Sequence, residues 1–415
     1  MNVSTLLEEI KIIAGNKAIY VVGGTIRDKL LYRPLVDYDF ACAGAPEIAT
    51  QFSKSKNFPL IKLGDTPKRE TYRVISHHQT VFDFSALQGE SIKEDLARRD
   101  FTINALAVSL NNFIKGSFHP IDPFDGQKDL KNKFLRVLPG NVLREDPLRI
   151  LRAFRLATQL NFEIEPVTFS RLSAEKEGLF QVAGERVNPE LRAILASKNS
   201  GKTIALMQKS GLLDILIPNI KDSDAKNFIL KVYNETESFL NNPKSLYPER
   251  FKDNGILLKE STKSLAKFSC FIWHFLKENS IETQKIEAIL NKLRFSNTDS
   301  RFILKTIQIA NDALESNLDF AGWSPDFSQI YRFVKKAQGE LIPSLYLAAG
   351  AFKAHLNLSD IKAEGFVRAI HNLVDFYCRR YLPAQKQRPL LTGEDLQNKF
   401  KLSPSPIFKY ILEYI

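Results

Sequence analysis

The stretch from Tyr20 to Phe40, YVVGGTIRDKLLYRPLVDYDF, constrains this chain more than any other. An apolar run ends in Gly23-Gly24, a short helical segment carries Arg27 and Asp28, and a second strand-like run holds Asp37 and Asp39. Residues two apart on a strand point to the same face, so this spacing aims two carboxylates at one place. Side by side they repel unless a cation sits between them. Magnesium is the candidate, because it takes oxygen ligands and is commonly held by one or two carboxylates plus substrate phosphates. The glycine pair lets backbone approach a ligand closely, and the amides that open the next helix favour an anion. Alone, an Asp-x-Asp is also what a solvated turn contains. Here the strand, turn, helix and strand around it favour a site for metal and phosphate.

A chain of 415 residues is too long for one ordinary core, and about two to four domains or subdomains are expected. Its 44% apolar and 25% charged residues are ordinary for a soluble globular protein. The net charge of +11 and pI near 9.3 are not. Such an excess points to a polyanionic partner, since Lys and Arg that replace counterions on a nucleic acid gain affinity from their release; simple solubility charge is the plainer alternative. Cys42, Cys270 and Cys378 are widely separated and form no pair motif, which argues against a disulfide framework or zinc site and fits a reducing compartment. No run reaches the roughly 20 apolar residues that a membrane-spanning helix needs, so no membrane partner and a cytoplasmic location are expected.

Residues 1–19 read as an amphipathic helix with Leu6, Leu7, Ile10 and Ile13 on one face. Glu47 to Lys54 looks helical, and a strand beginning at Pro59 breaks at Gly64-Asp65-Thr66-Pro67. Tyr72–Ser76 and Thr80–Phe84 then flank His77-His78 as a hairpin would. Asp83 alternates with Phe82 and Phe84 and faces away from them; it is either a third carboxylate beside Asp37 and Asp39 or a surface residue on an edge strand. Ser91 with Glu94 three residues on is a capping box, so a helix starts there. Arg98-Arg99-Asp100 ahead of Phe101-Thr102-Ile103-Asn104 is either a helix end or a triphosphate clamp, with Asn104 offering amide groups to a sugar or base. A strand from Leu106 to Leu110 follows, and Asp122-Pro123-Phe124-Asp125-Gly126 closes this first region.

From about Pro139 the pattern turns helical and stays so, with breakers at Pro218-Asn219, Asn241-Asn242-Pro243, Ser296-Asn297, Ser324-Pro325 and Pro383. Lys386-Gln387-Arg388-Pro389 is a small basic cluster, read either as a solvated face or as part of a surface along a phosphate backbone. Glu145-Asp146-Pro147-Leu148-Arg149 opens the sharpest helical signal, and Pro147 sits where a first turn tolerates it. Asp146 and Arg149 are three apart, hence neighbours, and pair as an ion pair or serve a more specific use. A carboxylate beside a guanidinium offers an acceptor next to a donor. Cytosine and adenine match that pair with an amino group beside a ring acceptor. Uracil and guanine have the reverse order and would leave buried polar groups unpaired, at about 1–3 kcal/mol each.

GGTIRD with Asp37-x-Asp39, RRDFTINA at 98–105, Asp125-Gly126, EDPLRILRAFRLA at 145–157 and ERVNPEL at 185–191 together resemble the class II tRNA nucleotidyltransferases and bacterial poly(A) polymerases. The motifs occur in that family's order and cover about residues 20–200; beyond residue 220 the resemblance is only to a helical body and tail. It implies an α+β fold with a polymerase-β-like nucleotidyltransferase head on a mixed sheet, followed by an elongated all-α neck, body and tail. The corresponding division is a head at 1–138, a neck with a nucleotide-selecting helix at 139–220, a body at 221–300 and a tRNA-binding tail at 301–415. The resemblance also implies that Asp37 and Asp39 hold Mg²⁺ while a tRNA 3′-hydroxyl attacks the α-phosphate of CTP, and possibly ATP, with Asp83 as a third catalytic acid. Phosphate and ribose contacts fall on Gly23, Gly24, Arg27, Arg98, Asp100 and Asn104, and base selection on Asp146 and Arg149, with Glu145, Arg152 and Arg155 near them.

Members that add all of CCA carry a flexible loop between the third acid and the RRD motif. Here only Ser85 to Ala97 separates Asp83 from Arg98, which resembles members that add CC alone. DPFDGQKDL lacks the family's double glycine, and the six histidines form no His-Asp pair of an appended phosphohydrolase. Full CCA or terminal-A addition, or poly(A) synthesis, is the alternative within this chemistry. A non-catalytic RNA-binding protein is the alternative outside it.

Overall fold

The polar and apolar alternation of the first 110 residues builds one sheet. In chain order these residues form α1 (Val3–Ala14), β1 (Ile19–Val22), α2 (Gly24–Leu30), β2 (Asp37–Cys42), α3 (Ala45–Lys56), β3 (Leu60–Leu63), β4 (Thr71–Ile75), β5 (Val81–Ala86), α4 (Ile92–Ala97) and β6 (Ala107–Ser109). The strands lie in the order β3-β4-β5-β2-β1-β6, with β2 and β5 parallel and the other neighbours antiparallel. The sheet is therefore mixed, as expected. The computed structural model describes residues 2–64, 70–218, 222–247, 258–273, 275, 281–315, 326–355, 361–387, 391–408 and 411. The expected breakers at Asp65-Thr66-Pro67, Asn219 and Ser324-Pro325, and Arg388-Pro389 of the basic cluster, lie outside these residues.

The period of two decides which side of the sheet is core. Phe40 of β2 stacks on Phe84 of β5 with ring centroids 5.0 Å apart, Tyr38 stacks on Phe82 at 5.6 Å, and Phe52 of α3 meets Phe82 edge-on at 5.4 Å. Each such pair contributes about 0.5–1.5 kcal/mol beyond area burial. The alternate residues Asp37, Asp39 and Asp83 are thereby turned to the opposite face. The first helix is shorter than the expected 1–19: Asn2 caps it by accepting from the Ser4 amide, and Gly15 ends it at φ +57, a conformation glycine adopts without strain. Ser91 caps α4 as the capping box predicts, but the Glu94 carboxylate accepts from the Glu90 amide rather than from that of Ser91.

After β6 come α5 (Leu110–Ile114), α6 (Gly126–Asn132), β7 (Phe134–Leu135), α7 (Val142–Glu145), α8 (Leu148–Leu160), β8 (Glu163–Ile164), α9 (Pro166–Ala174), α10 (Gly184–Ala196), α11 (Gly201–Lys209) and α12 (Leu212–Leu216). The expectation of helix alone beyond Pro139 is corrected here. Asn161 ends α8 in the left-handed conformation, and the chain returns to lay β8 parallel to β7. The Asp122-to-Gly126 signal is a cap: the Asp122 carboxylate accepts from the Gly126 and Gln127 amides at 2.7 and 2.9 Å, and Asp125 takes a positive φ of 57°.

The chain divides into two compact units, Met1–Lys221 with Ala288–Phe295, and Asp222–Glu287 with Ser296–Ile415. The remaining helices are α13 (Ser223–Asn241), α14 (Glu260–Trp273), α15 (Ile281–Lys292), α16 (Asn297–Glu315), α17 (Phe327–Ala337), α18 (Leu341–His355), α19 (Ile361–Phe376), α20 (Leu382–Gln385) and α21 (Gly393–Asn398). In the second unit α18 buries residues all round its axis, including Leu341, Leu345, Tyr346 and Ala351, and so serves as the core helix against which α13 and α16 pack. Buried Lys267 is paired there with Glu237 at 2.7 Å. Among the described residues no helix is long and apolar enough to cross a membrane.

Gly126 tests how the head is closed. A Cβ at this position would lie 2.2 Å from the Thr102 carbonyl oxygen, a backbone atom that cannot swing away. Gly126→Ala should therefore lower stability by about 1–3 kcal/mol in thermal or denaturant unfolding. An unchanged midpoint would mean that α6 does not rest on the Thr102 turn.

Candidate active site

Two strand pairings bring the acids together. Parallel pairing puts Asp39 of β2 directly opposite Asp83 of β5, and Asp37 is two residues earlier on β2, on the same face. Thr25, in the first turn of α2, fastens the helix to this strand: its hydroxyl donates to the Asp37 carbonyl at 3.2 Å and accepts from the Asp39 amide at 2.8 Å. Asp37 is exposed and Asp39 part-buried. Burial and the neighbouring charges of Asp83 and Asp37 push the Asp39 carboxyl up to about 6, while Arg99 and Arg152 pull in the other direction. A carboxyl held this way binds a proton or a cation more readily than a lone surface acid.

Asp83 stands beside Asp39 as one expectation had it, yet it is not a free third ligand. Arg73 of β4, opposite Asp83 across the hairpin, grips both carboxylate oxygens at 2.9 and 2.7 Å. Among the described residues no three of His, Cys, Asp and Glu converge to hold a metal ion. Asp37 and Asp39 are two hard oxygen donors on one face of β2; Asp39 lines the open cleft described below, whereas Asp37 is exposed and is not among the residues of its wall. That set fits Mg²⁺ completed by phosphate oxygens and water.

The glycine pair lies against these acids. Gly23 has φ +66, and a Cβ there would come within 2.9 Å of an Arg99 nitrogen; from Gly24 it would be 3.6 Å from Asp39 Oδ2. From α2, Arg27 donates twice to Asp28 and, through Nη1, to Asn104 Oδ1 at 2.8 Å. Asn104 Nδ2 donates to Asp100 Oδ1 at 2.9 Å, and Arg152 Nε of α8 reaches Asp100 Oδ2 at 2.8 Å. Asp100 is buried; that would raise its carboxyl, but Arg152, Asn104 and the Phe101 amide outweigh burial and hold it below the usual range. Asp28, Arg27, Asn104, Asp100 and Arg152 thus form one polar chain that braces α2, the RRD turn and α8.

A cleft of about 310 Å³ opens over Gly23, Gly24, Asp39 and Asp83, with Arg99, Asp100, Asn104, Asp146, Arg149 and Arg152 in its wall. Several predicted residues stand differently from expectation. Arg98 is exposed at the end of α4 and its neighbour Arg99 lines the cleft, held by Asp95 at 2.8 Å. Arg27 is placed as a brace, and Arg155 pairs with Glu190 and with Gln159 away from the cleft wall. Asp146 and Arg149 both reach the cleft, but they do not form the ion pair that was one of their two readings. Asp146 precedes α8, and its carboxylate accepts from Arg186 of α10 at 3.1 and 3.0 Å. Arg149 instead donates to the carbonyls of Arg98, Arg99 and Val142. Arg73 and Thr25 were not singled out from sequence, and Arg99 and Arg186 entered it only as members of motifs, Arg99 in the alternative of a triphosphate clamp and Arg186 in ERVNPEL. A register worked through the hairpin, with Ser76 opposite Thr80, would have found Arg73.

Residues 19–136 match the family described as Poly A polymerase head domain, and residues 161–223 match Probable RNA and SrmB-binding site of polymerase A. Over 403 residues the chain is 28% identical to the CC-adding tRNA nucleotidyltransferase of Synechocystis sp., covering 95% of this chain and 88% of that one. It is 36% identical over 203 residues to the CC-adding tRNA nucleotidyltransferase of Geobacter sulfurreducens, covering 48% of this chain and 45% of that one, so this alignment spans about half of each. The CCA-adding enzyme of Thermotoga maritima, solved in complex with tRNA, aligns with a TM-score of 0.68 at 27% identity, covering 99% of this chain and 89% of that one.

The raised Asp39 carboxyl makes a signed expectation. Its folded value of about 6 lies above the ordinary 3.8. Below about pH 4 both folded and unfolded states keep the proton, and above about pH 6 the metal-free fold carries the full cost of ionising it. Asp39→Asn should therefore stabilise the chelator-treated protein at pH 8 by on the order of 1–2 kcal/mol, after allowance for solvent screening, with the gain gone at pH 4. A gain equal at both pH values, or a loss at pH 8, would contradict this account of the cluster.

Proposed function

Because the chain belongs to the family of class II tRNA nucleotidyltransferases and bacterial poly(A) polymerases, we propose that it adds CMP, twice, to the 3′ end of tRNA, using CTP and Mg²⁺ and no template. The observation that carries this reading is Asp39 and Asp83 side by side in a cleft walled by Arg99, Arg149 and Arg152, with exposed Asp37 on the same face of β2 two residues before Asp39. Mg²⁺ held by Asp37 and Asp39 would supply a better 3′-oxygen nucleophile and offset charge on the α-phosphate. The rest falls to the chain. Gly23 and Gly24 leave space for the triphosphate beside the acids, and Arg99 and Arg152 set positive charge along it. Exposed Arg98 is left for the phosphates of the RNA, while Arg27, Asp100 and Asn104 keep the wall rigid. In this reading the head is 1–138, the neck 139–220, the body 221–300 and the tail, which grips the tRNA, 301–415.

Base selection falls to Asp146 and Arg149. Arg186 fixes the Asp146 carboxylate, so an acceptor is presented in a set direction. Arg149 spends both Nη1 hydrogens and one on Nη2 on carbonyls, and the remaining N–H groups can serve as the donor beside that acceptor. The pair then matches the amino-beside-acceptor edge of cytosine and opposes that of uracil.

CC in preference to CCA is supported by the link between β5 and α4. It runs only from Leu87 to Ser91 and is pinned: the Leu87 amide donates to the Cys42 carbonyl, that of Gln88 to Asp95 and that of Glu90 to Glu94. So short and fastened a segment leaves little chain to rearrange between one base and another. The names of the Synechocystis and Geobacter relatives point the same way.

Purified protein with Mg²⁺, tRNA lacking its CCA end and single labelled nucleotides separates the readings. CTP alone should extend the RNA by two residues, and ATP should not be accepted on tRNA ending in CC. ATP incorporation after CC would make it a full CCA or A-adding enzyme, long A tails a poly(A) polymerase, and no incorporation a binding protein. Asp37→Ala should abolish transfer without unfolding the chain. Arg149→Ala and Arg186→Ala should each lower the preference for CTP over UTP by about tenfold or more, the scale of one or two unpaired polar groups; unchanged discrimination in both would end the base-edge account.

A further inference from the structure

Arg73, Asp83 and Asp39 stand in one row across three adjacent strands: Arg73 is directly opposite Asp83, and Asp83 directly opposite Asp39. Arg73 Nε donates to Asp83 Oδ1 at 2.9 Å and Nη2 to Oδ2 at 2.7 Å. A carboxylate held bidentately by a guanidinium is charge-compensated, and the fork takes one lone pair on each oxygen. Three aspartates share this face, and still no three acidic, thiol or imidazole groups among the described residues converge to hold a metal. We infer that Arg73 is a positioning residue that withholds Asp83 from the divalent cation, so that the cation is held by Asp37 and Asp39 and requires the nucleotide's phosphates to complete its shell.

The consequence is an order of binding. A third free carboxylate would make a site that fills with metal ahead of substrate; two carboxylates grip a hard divalent ion weakly until phosphate oxygens join them. With Arg73 in place, cation and CTP enter together. A lysine in its place would keep the charge but lose the fork, and so release Asp83 in part. This inference rests on the reading of Asp37 and Asp39 as cation ligands.

The test is direct binding of Mn²⁺, as a paramagnetic stand-in for Mg²⁺, to the full chain. Free Mn²⁺ is followed by electron paramagnetic resonance with and without CTP and corrected for Mn²⁺ on free CTP. Wild-type protein should bind Mn²⁺ at least about tenfold more tightly with CTP than without. Arg73→Gln should tighten nucleotide-free Mn²⁺ binding about five- to tenfold, Arg73→Lys should fall between, and Arg73→Gln with Asp83→Asn should return to the wild-type value. Nucleotide-free affinity unchanged in a folded Arg73→Gln protein overturns the inference. If Arg73→Gln does not fold, the double variant decides, since it exchanges the ion pair for two amides of similar size. Its CTP-dependent Mn²⁺ affinity within about twofold of wild type supports the inference, and a loss beyond about tenfold overturns it, because Asp83 would then be a ligand. Wild-type protein that takes up no Mn²⁺ with CTP, or uptake undiminished in Asp39→Asn, overturns the site reading itself and the inference with it.

Discussion

The parallel pairing of β2 with β5 is the interaction on which the site depends. Its register sets Asp39 against Asp83 and, one residue on, Phe40 against Phe84. The two consequences are inseparable, because a strand alternates its faces. A slip of one residue would send aromatic rings into the cleft and carboxylates into the core. The Phe40, Phe52, Phe82 and Phe84 cluster that stabilises the head is therefore also what aims the acids. Repulsion among the acids is borne by that packing.

Two aspartates near the cleft show how environment divides roles among identical side chains. Asp39 is raised because burial and like charges act together and the arginines near it do not compensate fully. Asp100 is more deeply buried, yet it is lowered, because Arg152, the Asn104 amide and the Phe101 N–H all address its oxygens. The first is an acid in want of a cation, and the second already has one. Asp100 therefore belongs to the framework, while the Asp39 carboxyl is left without a compensating partner of that kind, although the motif that carries Asp100 reads from sequence as a helix end or a triphosphate clamp.

Arginine is the other economy of the site. Arg73, Arg149 and Arg186 each use the planar fork to hold something still: an acid, a set of carbonyls, a second acid. Two of the carbonyls that Arg149 holds belong to Arg98 and Arg99, so α8 and the RRD turn are tied together through one guanidinium. In the second unit the comparable feature is Lys267 with Glu237, a buried pair whose lysine is pushed down by desolvation. Pairs of this kind add little net stability, but breaking one leaves a buried charge alone.

Much was legible in the residues themselves. Period-two alternation and the Gly23-Gly24 break determined the strands and the common face of Asp37 and Asp39, because side-chain direction along a strand is local. The Ser91 cap was local too, whereas the stop of the first helix at Gly15 was passed over by a reading that carried the helix to residue 19. What the tertiary structure decided was every partner choice between distant segments. Arg99 and not Arg98 faces the cleft, because α4 ends at Arg98 and the next residue turns inward. Asp146 goes to Arg186, 40 residues away, rather than to Arg149 three residues on. Asp83 goes to Arg73 through a strand register, and β8 returns to β7 after an αL turn. Hydrophobic period shows which side of an element is buried but not what is packed against it, and a charged group is committed only when the fold brings its counter-charge within hydrogen-bonding distance.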